Sequence, residues 1–363
     1  MWVAGGPVVK PNVAATRRHV VPSNRMKALE ITEPRSAEIR TVEQPSLGSE
    51  EVRIAVRRIG YCGSDLNTYR GKNPLVHYPI IPGHEVGGEV LEVGRDVPET
   101  IRVGRRVTAS PYSACGRCPA CRSGRVNACR DNETLGVQRN GALTEEIVLP
   151  WRTLYSSDSL SFAELALVEP LTVGFHASDR GEARNGKRCV VFGCGTIGLG
   201  AIAGAAWRGA EVIAVDVVPR KLETAVRAGA AHTIDSSQAD LHEALAELTD
   251  GDGPDIAIEA IGLPATFRAA VEEVAYTGTV VYIGYAKEEV CYDSSLFVKK
   301  ELDIRGSRNA LEDFGDVIQL LEAGRFPVGD VITHTVPFES ADDALRRWDE
   351  DPAAYTKIQI ELS

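Results

Sequence analysis

The pattern of hydrophobic and polar positions changes twice along the chain. From Met26 to about Leu171, runs such as EVRIAVRRIG and HEVGGEVLEVG are rich in β-branched residues and broken by glycine and proline, which predicts short strands joined by turns. From about Thr172 to Ala310, apolar runs of strand length alternate with segments rich in alanine, leucine and glutamate. The remaining residues, from LEDFGDVIQLLEAG onward, predict one or two helices and a final strand, KIQIEL.

Six apolar runs mark the strands of the middle part: RCVVFG, EVIAVD, HTID, PDIAIEA, TVVYIG and DIRGS. Most of them are separated by helical segments. Strands that alternate with helices are typical of a parallel, doubly wound sheet. We therefore expect an α/β fold in which this sheet forms one domain and the β-rich part forms another.

The first 25 residues differ from the rest of the chain. Strand-like alternation begins only at Met26, and the preceding segment lacks the continuous apolar core of a signal peptide. We set residues 1–25 aside as an N-terminal extension or leader. An upstream start or a disordered tail would explain the same composition.

Length and charge narrow the class of protein. A chain of 363 residues has room for two domains of ordinary size. No apolar run approaches the roughly 20 residues that span a bilayer. The net charge of −11 disfavours a nucleic-acid or anionic-membrane partner, because both need a basic surface, although local basic patches remain possible. A small molecule is the expected partner.

Four of the eight cysteines lie within CGRCPACRSGRVNAC. Eight are too few for a disulfide scaffold in a chain of this length, so we expect a reducing, cytoplasmic setting with these thiols on a metal. Cys115, Cys118, Cys121 and Cys129 can close tetrahedrally on Zn²⁺, which leaves no position for water or substrate. The site is therefore expected to be structural, with nearby arginines and backbone N–H groups offsetting its negative charge. An iron–sulfur cluster is the main alternative, and a redox or disulfide role ranks below it.

A dinucleotide site is predicted where RCVVFG meets the next helix. Three glycines in GxGxxG spacing lie between a buried strand and an alanine-rich helix, and an aspartate ends the following strand. The glycines allow the tight turn and the close approach of phosphate, and the helix N-terminus offers free N–H groups to the pyrophosphate. The expected cofactor-binding residues are Gly193, Gly195, Thr196, Ile197, Gly198, Asp216 and Lys221.

Asp216 bears on the choice of cofactor. Its carboxylate can accept hydrogen bonds from the adenosine ribose and would repel a 2′-phosphate, so NAD is favoured over NADP. Arg220 and Lys221 weaken this preference because either could bind a phosphate. A Rossmann-type domain without a bound nucleotide is the alternative interpretation.

A second possible metal site is spread over three segments. RRIGYCGSDLN contains Cys62, IIPGHEVGGE contains His84 and Glu85, and ALVEPLTVGFHA contains Glu169 in an apolar run, where an unpaired carboxylate is unusual. Each is unremarkable alone, since an isolated cysteine is usually a small buried hydrophobe. Together they offer thiolate, imidazole and carboxylate, which are the ligand types of an open catalytic zinc.

These motifs, in the order CGSD, GHE, four cysteines, EPL and GxGxxG, resemble the zinc-containing medium-chain dehydrogenase/reductase family, the alcohol dehydrogenase superfamily. The resemblance covers Met26 to Ser363. It implies a β-rich, GroES-like catalytic domain from residues 26–171 and 311–363, with a structural zinc lobe at 112–130. It also implies a doubly wound Rossmann NAD-binding domain from residues 172–310.

The resemblance implies two zinc ions per chain and a role for each matching residue. Cys62 and His84 would bind the catalytic zinc. Glu85 and Glu169 match the carboxylates of the sorbitol dehydrogenase-like branch, in which one ligates and the other holds or exchanges with the zinc water. A site with one ligating glutamate is neutral and lowers the pKa of a bound alcohol more than an anionic one, so we expect the second glutamate to bind loosely.

The resemblance also implies roles for two further residues of the CGSD segment. Asp65 matches the carboxylate that hydrogen-bonds the histidine ligand, and Ser64 matches the hydroxyl that takes the substrate proton. Asn67 stands where many members carry a relay histidine, so protons must leave by another route; His77 is a distant candidate. Tyr61 replaces a small aliphatic residue, and it would either contact a polar substrate or pack between the domains.

The glutamate-type site resembles branches that oxidise polyols, sugar acids, cyclitols and threonine. We expect oxidation of a secondary alcohol to a ketone, with a threonine-type or simple alcohol dehydrogenase and an inactive NAD-binding protein as alternatives. GSRNALEDF places Arg308 and Asn309 near the expected cleft, where Arg308 could bind a substrate carboxylate, or instead form a salt bridge or cofactor contact. The resemblance also implies a homodimer or homotetramer.

Overall fold

The computed structural model describes Met1, residues 25–310 and residues 312–363. The predicted N-terminal extension, residues 1–25, therefore lies almost wholly outside the described residues. Within the described part, no helix is both long enough and apolar enough to cross a membrane.

The first part of the chain is β-rich, as its alternating pattern predicts. Its elements are β1 (Arg25–Glu33), β2 (Ser36–Glu43), β3 (Glu51–Gly60), α1 (Gly63–Tyr69), β4 (Glu85–Val93), β5 (Arg106–Ala109), α2 (Pro119–Arg122), β6 (Glu146–Pro150) and β7 (Leu154–Ser156). β1 and β2 form an antiparallel pair, and β3, β4, β5 and β7 are neighbours in a larger antiparallel arrangement. β6 pairs with β3 beside this path.

The middle part begins with a long helix and continues as alternating strands and helices. Its elements are α3 (Phe162–Arg180), β8 (Arg188–Phe192), α4 (Thr196–Trp207), β9 (Glu211–Asp216), α5 (Pro219–Arg227), β10 (His232–Asp235), α6 (Leu241–Leu248), β11 (Ile256–Glu259), α7 (Pro264–Glu273), β12 (Thr279–Tyr282), α8 (Ser295–Lys299) and β13 (Asp303–Gly306). The six predicted strands are all present. They form one parallel sheet in the order β10-β9-β8-β11-β12-β13. The chain builds this sheet outward from β8 to one edge and then from β11 to the other, so the strand order reverses between β8 and β11.

The chain then returns to the β-rich part. Its last elements are α9 (Phe314–Glu322), α10 (Val328–Val331), β14 (Ile332–Pro337), α11 (Ala341–Glu350) and β15 (Lys357–Glu361). β15 runs antiparallel to β3, with Gln359 opposite Gly60. The C-terminal strand thus lies directly beside the segment that leads to Cys62.

Helix α3 joins the two parts and carries Glu169 near its middle. It begins with a capping box between Ser161 and Glu164. The domain limit expected between residues 171 and 172 falls inside this helix, so the chain crosses between the parts as continuous helix rather than as a loop. A Cβ on Gly87 would lie 2.0 Å from the Phe162 carbonyl oxygen, which shows how closely α3 packs on β4.

Candidate active site

Cys62, His84 and Glu85 come together where β3 ends and β4 begins. Cys62 lies between β3 and α1, while His84 and Glu85 stand at the start of β4, with Glu85 opposite Gly60 in the antiparallel register. The thiol, imidazole and carboxylate offer ligand atoms that lie within 4.8 Å of one another. Pairing of two neighbouring strands thus brings together three potential ligands, of which His84 and Glu85 are buried and Cys62 is half-buried.

Asp65 fixes the backbone on both sides of this group. Its carboxylate is fully buried and accepts hydrogen bonds from the N–H of Cys62, at 2.8 Å, and of Gly83, at 3.1 Å. The expected hydrogen bond between Asp65 and His84 is not formed in this structure, in which both carboxylate oxygens accept from backbone N–H groups. His84 Nδ1 is buried and has no hydrogen-bond partner within the described residues. Asp65 therefore positions the ligand loops rather than the imidazole.

Glu85 is paired with Lys357 from the C-terminal strand. The Lys357 ammonium lies 2.6 Å and 2.7 Å from the two carboxylate oxygens and donates to the Tyr61 carbonyl oxygen at 3.0 Å. Gly60 leaves the space for this carboxylate, since a Cβ there would lie 1.9 Å from Glu85 Oε2. Burial raises the pKa of Glu85 to about 7, against the opposing charge of Lys357. Lys357 was not predicted; its signal was a lysine at the start of the final strand, KIQIEL.

Glu169 is buried on α3 and is held by Tyr112. The Tyr112 hydroxyl donates to Glu169 Oε1. Burial and the Glu169 charge raise the pKa of Tyr112, so the phenol stays protonated and remains a donor. Tyr112 lies at the start of the four-cysteine lobe and was not predicted as a site residue. It connects that lobe with the carboxylate of Glu169.

The other predicted polar residues near Cys62 differ in burial. Ser64 Oγ is buried and has no hydrogen-bond partner within the described part of the chain, so it is free to meet a substrate hydroxyl. Asn67 is half-buried on α1. His77 is exposed on the loop before β4, whereas the ligand group is buried, which argues against a direct relay through its imidazole.

The donor set fits a zinc ion. A thiol, an imidazole and a carboxylate within 4.8 Å are the ligand types of catalytic zinc sites, and the buried His84 Nδ1 lacks a partner among the described residues. Burial lowers the pKa of His84, but Cys62, Asp65 and Glu169 outweigh it and raise the pKa well above its usual value. The imidazole therefore lies among anionic groups whose charge a divalent cation would neutralise.

The four cysteines also converge. Their sulfurs lie within 4.8 Å of one another, with Cys118 Sγ 3.5 Å from Cys121 Sγ and 3.9 Å from Cys129 Sγ. A tetrahedron with Zn–S bonds of about 2.3 Å has edges of about 3.8 Å. Backbone N–H groups of Cys121 and Arg130 lower the pKa of the Cys118 thiol to about 6. These distances fit a closed four-thiolate site, and all eight cysteines of the chain are free of disulfides.

The glycine loop lies at the carboxyl end of β8, beside the reversal of strand order where doubly wound folds bind nucleotides. Gly193 has a φ of 98°, and a Cβ on Gly198 would lie 1.8 Å from the Gly193 carbonyl oxygen. Only glycine fits at either position. α4 begins at Thr196, whose hydroxyl donates to the Thr356 carbonyl oxygen at 3.2 Å, and Ile197 is half-buried in its first turn.

Asp216 ends β9 and braces this loop. One carboxylate oxygen accepts from the Cys194 N–H at 2.8 Å, and the other accepts from Val217 and Val218 at 2.8 Å and 3.0 Å. Lys221 is half-buried on α5, and Arg220 is exposed. The carboxylate is thus fixed beside the loop that is expected to hold the cofactor.

The three residues expected to contact substrate, Tyr61, Arg308 and Asn309, differ in their surroundings. Tyr61 is only 1% exposed, and its hydroxyl donates to the Ala341 carbonyl oxygen at 2.8 Å while its ring stacks on Trp348. Of the two expected roles of Tyr61, this burial favours packing, and the ring packs against α11. Arg308 and Asn309 face the four-cysteine lobe: Asn127 donates to the Arg308 carbonyl oxygen at 2.8 Å, and Asn309 donates to that of Asn127 at 3.3 Å.

Two family models match the chain. Residues 48–159 match the alcohol dehydrogenase GroES-like domain, and residues 196–323 match the zinc-binding dehydrogenase. The chain belongs to the zinc-type alcohol dehydrogenase family. This membership confirms the predicted fold, a GroES-like domain combined with a Rossmann domain, and it makes the protein an oxidoreductase.

Relatives within the zinc-type alcohol dehydrogenase family cover nearly the whole chain. Sorbitol dehydrogenase of Bacillus subtilis is 34% identical over 336 residues, which are 91% of this chain and 95% of the relative. L-Galactonate-5-dehydrogenase of Escherichia coli K12 is 32% identical over 323 residues, 89% and 95% respectively. Among solved structures, the alcohol dehydrogenase RspB from Escherichia coli CFT073, complexed with NADH, superposes on this chain with a TM-score of 0.86 at 31% identity. The match covers 93% of this chain and 100% of the RspB chain.

Proposed function

We propose that the protein oxidises a secondary alcohol of a polyol, sugar acid or cyclitol to the ketone, using zinc and NAD. The observation that carries this proposal is the grouping of the ligand atoms of Cys62, His84 and Glu85, with Glu169 bound to the Tyr112 hydroxyl. Sorbitol and L-galactonate dehydrogenases among the relatives support the substrate class. The GroES-like domain is proposed to comprise residues 26–171 and 311–363, and the Rossmann domain residues 172–310.

We assign the zinc ligands from the grouping of the side chains. Cys62, His84 and Glu85 would hold the catalytic ion, since their ligand atoms lie together. Glu169, bound to the Tyr112 hydroxyl, would act on a water or on the substrate. The charges of the site also balance: with Cys62 and both glutamates ionised, the three negative charges are offset by a divalent zinc and by Lys357, which is paired with Glu85. A site that is neutral as a whole favours ionisation of a bound alcohol more than an anionic site does.

The second zinc is assigned to the four cysteines. Cys115, Cys118, Cys121 and Cys129 would hold it without an open position, so it would brace the lobe and take no part in the reaction. The lobe in turn carries Tyr112 and Asn127, which contact Glu169 and the Arg308 segment.

The chain's own residues supply positioning and proton transfer. Bound zinc would act as a Lewis acid toward the alcohol oxygen, and bound NAD would accept the hydride. Ser64 Oγ, buried and without a partner among the described residues, accepts the hydroxyl proton of the substrate. Asp65 holds the loops of Cys62 and His84 in place. Because Asn67 cannot act as a base near neutral pH, the proton then leaves through water or through the hydroxyls of the substrate or cofactor.

NAD is proposed over NADP because of Asp216. Its carboxylate is braced at the end of β9 and carries negative charge where a 2′-phosphate would lie. The exposed Arg220 and the half-buried Lys221 lie in the first turn of α5, which begins at Pro219. Eight free thiols agree with a reducing, cytoplasmic location, and a homodimer or homotetramer is proposed from the family.

A substrate panel tests this function. Zinc-loaded protein would be assayed with polyols, aldonates, cyclitols, threonine and simple alcohols, with NAD and NADP side by side. We expect reduction of NAD with at least one polyol, aldonate or cyclitol, at a higher kcat/KM than with threonine or ethanol. If no substrate reduces either cofactor while both zinc sites are full, the protein is a non-catalytic nucleotide-binding protein and the proposal fails.

A further inference from the structure

The side chain of Tyr112 reaches from the start of the four-cysteine lobe to Glu169 on α3, where its hydroxyl donates to Oε1. Glu169 itself is only 4% exposed. Among the described residues, Tyr112 is the only hydrogen-bond donor to Oε1, and no hydrogen bond includes the second carboxylate oxygen, Oε2. The position of this carboxylate, and the free oxygen that it offers, therefore depend on one phenol.

The backbone around Tyr112 is fixed by the chain that leaves the four-cysteine lobe. Tyr112 forms an isolated antiparallel bridge with Thr134. The Leu135 N–H donates to the Pro111 carbonyl oxygen at 3.0 Å. The ring of Tyr112 packs against the hydrophobic core that contains the buried side chains of α3. The phenol is thus held from both the backbone and the ring in one position relative to α3.

A second contact joins the lobe to the same face of α3. The Asn127 amide nitrogen lies 3.0 Å from His176 Nε2, and both residues are buried. His176 follows Glu169 by seven residues on this helix, which is about two turns, so the two side chains leave nearly the same face. The lobe is therefore attached to α3 at two points, of which one is the carboxylate of Glu169.

Glu169 lies near the proposed zinc ligands without belonging to their group. The pKa of Glu85 is raised to about 7, chiefly by burial, and the charge of Glu169 adds to this rise. The ligand atoms of Cys62, His84 and Glu85 lie within 4.8 Å of one another, and Glu169 is not part of this group. Carboxylates are zinc ligands, so a neighbouring carboxylate needs another contact to keep it from the ion. The phenol supplies that contact.

We propose that Tyr112 is a positioning residue that holds Glu169 Oε1 away from the catalytic zinc and leaves Oε2 for the water or the substrate hydroxyl. With Glu169 as a fourth protein ligand, the zinc would have no open position for the alcohol, as in a closed structural site. The inference rests on the proposed function and adds to it a residue of the four-cysteine lobe. The lobe thus affects the reaction through one hydrogen bond, although its cysteines take no part in it.

Steady-state kinetics of variants that lack one hydroxyl group test this role. Tyr112→Phe removes the donor and keeps the ring. Tyr155→Phe is the matched control, because Tyr155 is also half-buried, packs against the same core and makes no hydrogen bond through its hydroxyl within the described part of the chain. We expect Tyr112→Phe to lower kcat about 10- to 100-fold, with KM and NADH affinity changed less than about 3-fold, since a hydrogen bond to a charged group is lost. The control should keep the kcat of the wild type.

The visible spectrum of protein with cobalt at the Cys62 site and zinc in the four-cysteine site is independent of turnover. The cobalt bands should change in Tyr112→Phe, because Glu169 is then free to join the metal. In the double variant Tyr112→Phe with Glu169→Gln the bands should return to those of Glu169→Gln, since no second carboxylate remains. The kcat of this double variant should equal that of Glu169→Gln, because the tyrosine acts only through the carboxylate.

Unchanged kcat or unchanged cobalt bands in Tyr112→Phe would refute the inference, since Glu169 would then keep its place without the phenol. A further fall in kcat when Tyr112→Phe is added to Glu169→Gln, or loss of zinc from the four cysteines, would also overturn it and show a merely structural role. If no substrate of the panel is oxidised, the proposed function fails separately. The cobalt spectra of the single and double variants then still decide the role of Tyr112.

Discussion

The ammonium group of Lys357 lies 2.6 Å from Glu85 Oε1 and 2.7 Å from Glu85 Oε2, with both side chains buried. The two residues are 272 positions apart in sequence. Only the return of β15 alongside β3 brings them together. The C-terminal strand therefore contributes to the candidate active site a positive charge that opposes the rise in the pKa of Glu85 caused by burial.

Loss of this lysine should strongly destabilise the metal-free protein. Lys357→Met leaves the Glu85 charge buried without its partner, which costs about 3–5 kcal/mol in comparable buried pairs. Replacing both residues, as in Glu85→Leu with Lys357→Met, should recover most of this loss, because no charge then remains uncompensated. Urea denaturation of the metal-free single and double variants measures both effects. A single variant that loses less than about 1 kcal/mol would show that the pair contributes little.

The two glutamates should differ in their effect on metal content. Because the Glu85 carboxylate lies with Cys62 and His84 while Glu169 is bound to Tyr112, Glu85→Gln should lower affinity for the catalytic zinc far more than Glu169→Gln. Loss of a residue that only hydrogen-bonds to a metal ligand lowers metal affinity by about 10- to 100-fold. Loss of a ligand itself should lower metal affinity by a larger factor.

Competition with a chelator measures zinc affinity in both glutamine variants. The visible spectrum of cobalt-substituted protein reports the ligand set independently of activity. We expect the cobalt bands to change in Glu85→Gln and to remain close to the wild type in Glu169→Gln. If Glu169→Gln instead changes the cobalt bands and lowers zinc affinity more than Glu85→Gln, Glu169 is the zinc ligand and Glu85 only pairs with Lys357.

Much of the fold and the metal sites could be predicted because their signals are local in sequence. The six strands of the parallel sheet, the glycine turn before α4 and the four-cysteine lobe each depend on residues close together along the chain. Spacing alone therefore indicates their geometry, and the family models confirm the fold.

The remaining contacts depend on distant parts of the chain. Tyr61 stacks on Trp348, Lys357 pairs with Glu85, and Tyr112 bonds to Glu169, which no spacing within one segment could indicate. A tyrosine beside a zinc cysteine suggested a substrate contact, but packing against α11 buries it. The domain limit was also harder to place, since α3 runs through it without a turn or a change in composition.

Removal of the catalytic thiolate should separate chemistry from cofactor binding. Cys62→Ser deletes the sulfur ligand but leaves the glycine loop and the four-cysteine lobe intact. We expect turnover to fall below detection, zinc content to fall from two ions to one per chain, and NADH affinity to stay within about 2-fold of the wild type. Metal analysis and NADH fluorescence titration check the last two points. Near-full activity in this variant would refute a catalytic zinc at Cys62.

Replacement of Asp216 should change the choice of cofactor. Asp216→Ser removes the negative charge at the end of β9, together with the acceptor for the ribose hydroxyls and the hydrogen bonds to Cys194, Val217 and Val218. NADH affinity should fall about 10- to 100-fold, since several hydrogen bonds to a charged group are lost. NADPH affinity should fall less or rise, because the repulsion of the 2′-phosphate is removed.

Fluorescence titration with both reduced cofactors gives the ratio of NADH to NADPH affinity. Lys221→Met is the informative companion variant, since Lys221 is half-buried on α5 and is, with the exposed Arg220, a cation that could bind a 2′-phosphate. If NAD is the cofactor, Lys221→Met should change the ratio little in the wild-type background and should reduce NADPH binding in the Asp216→Ser background. A wild type that binds NADPH more tightly, with that preference lost in Lys221→Met, would instead make this lysine the residue that selects the cofactor.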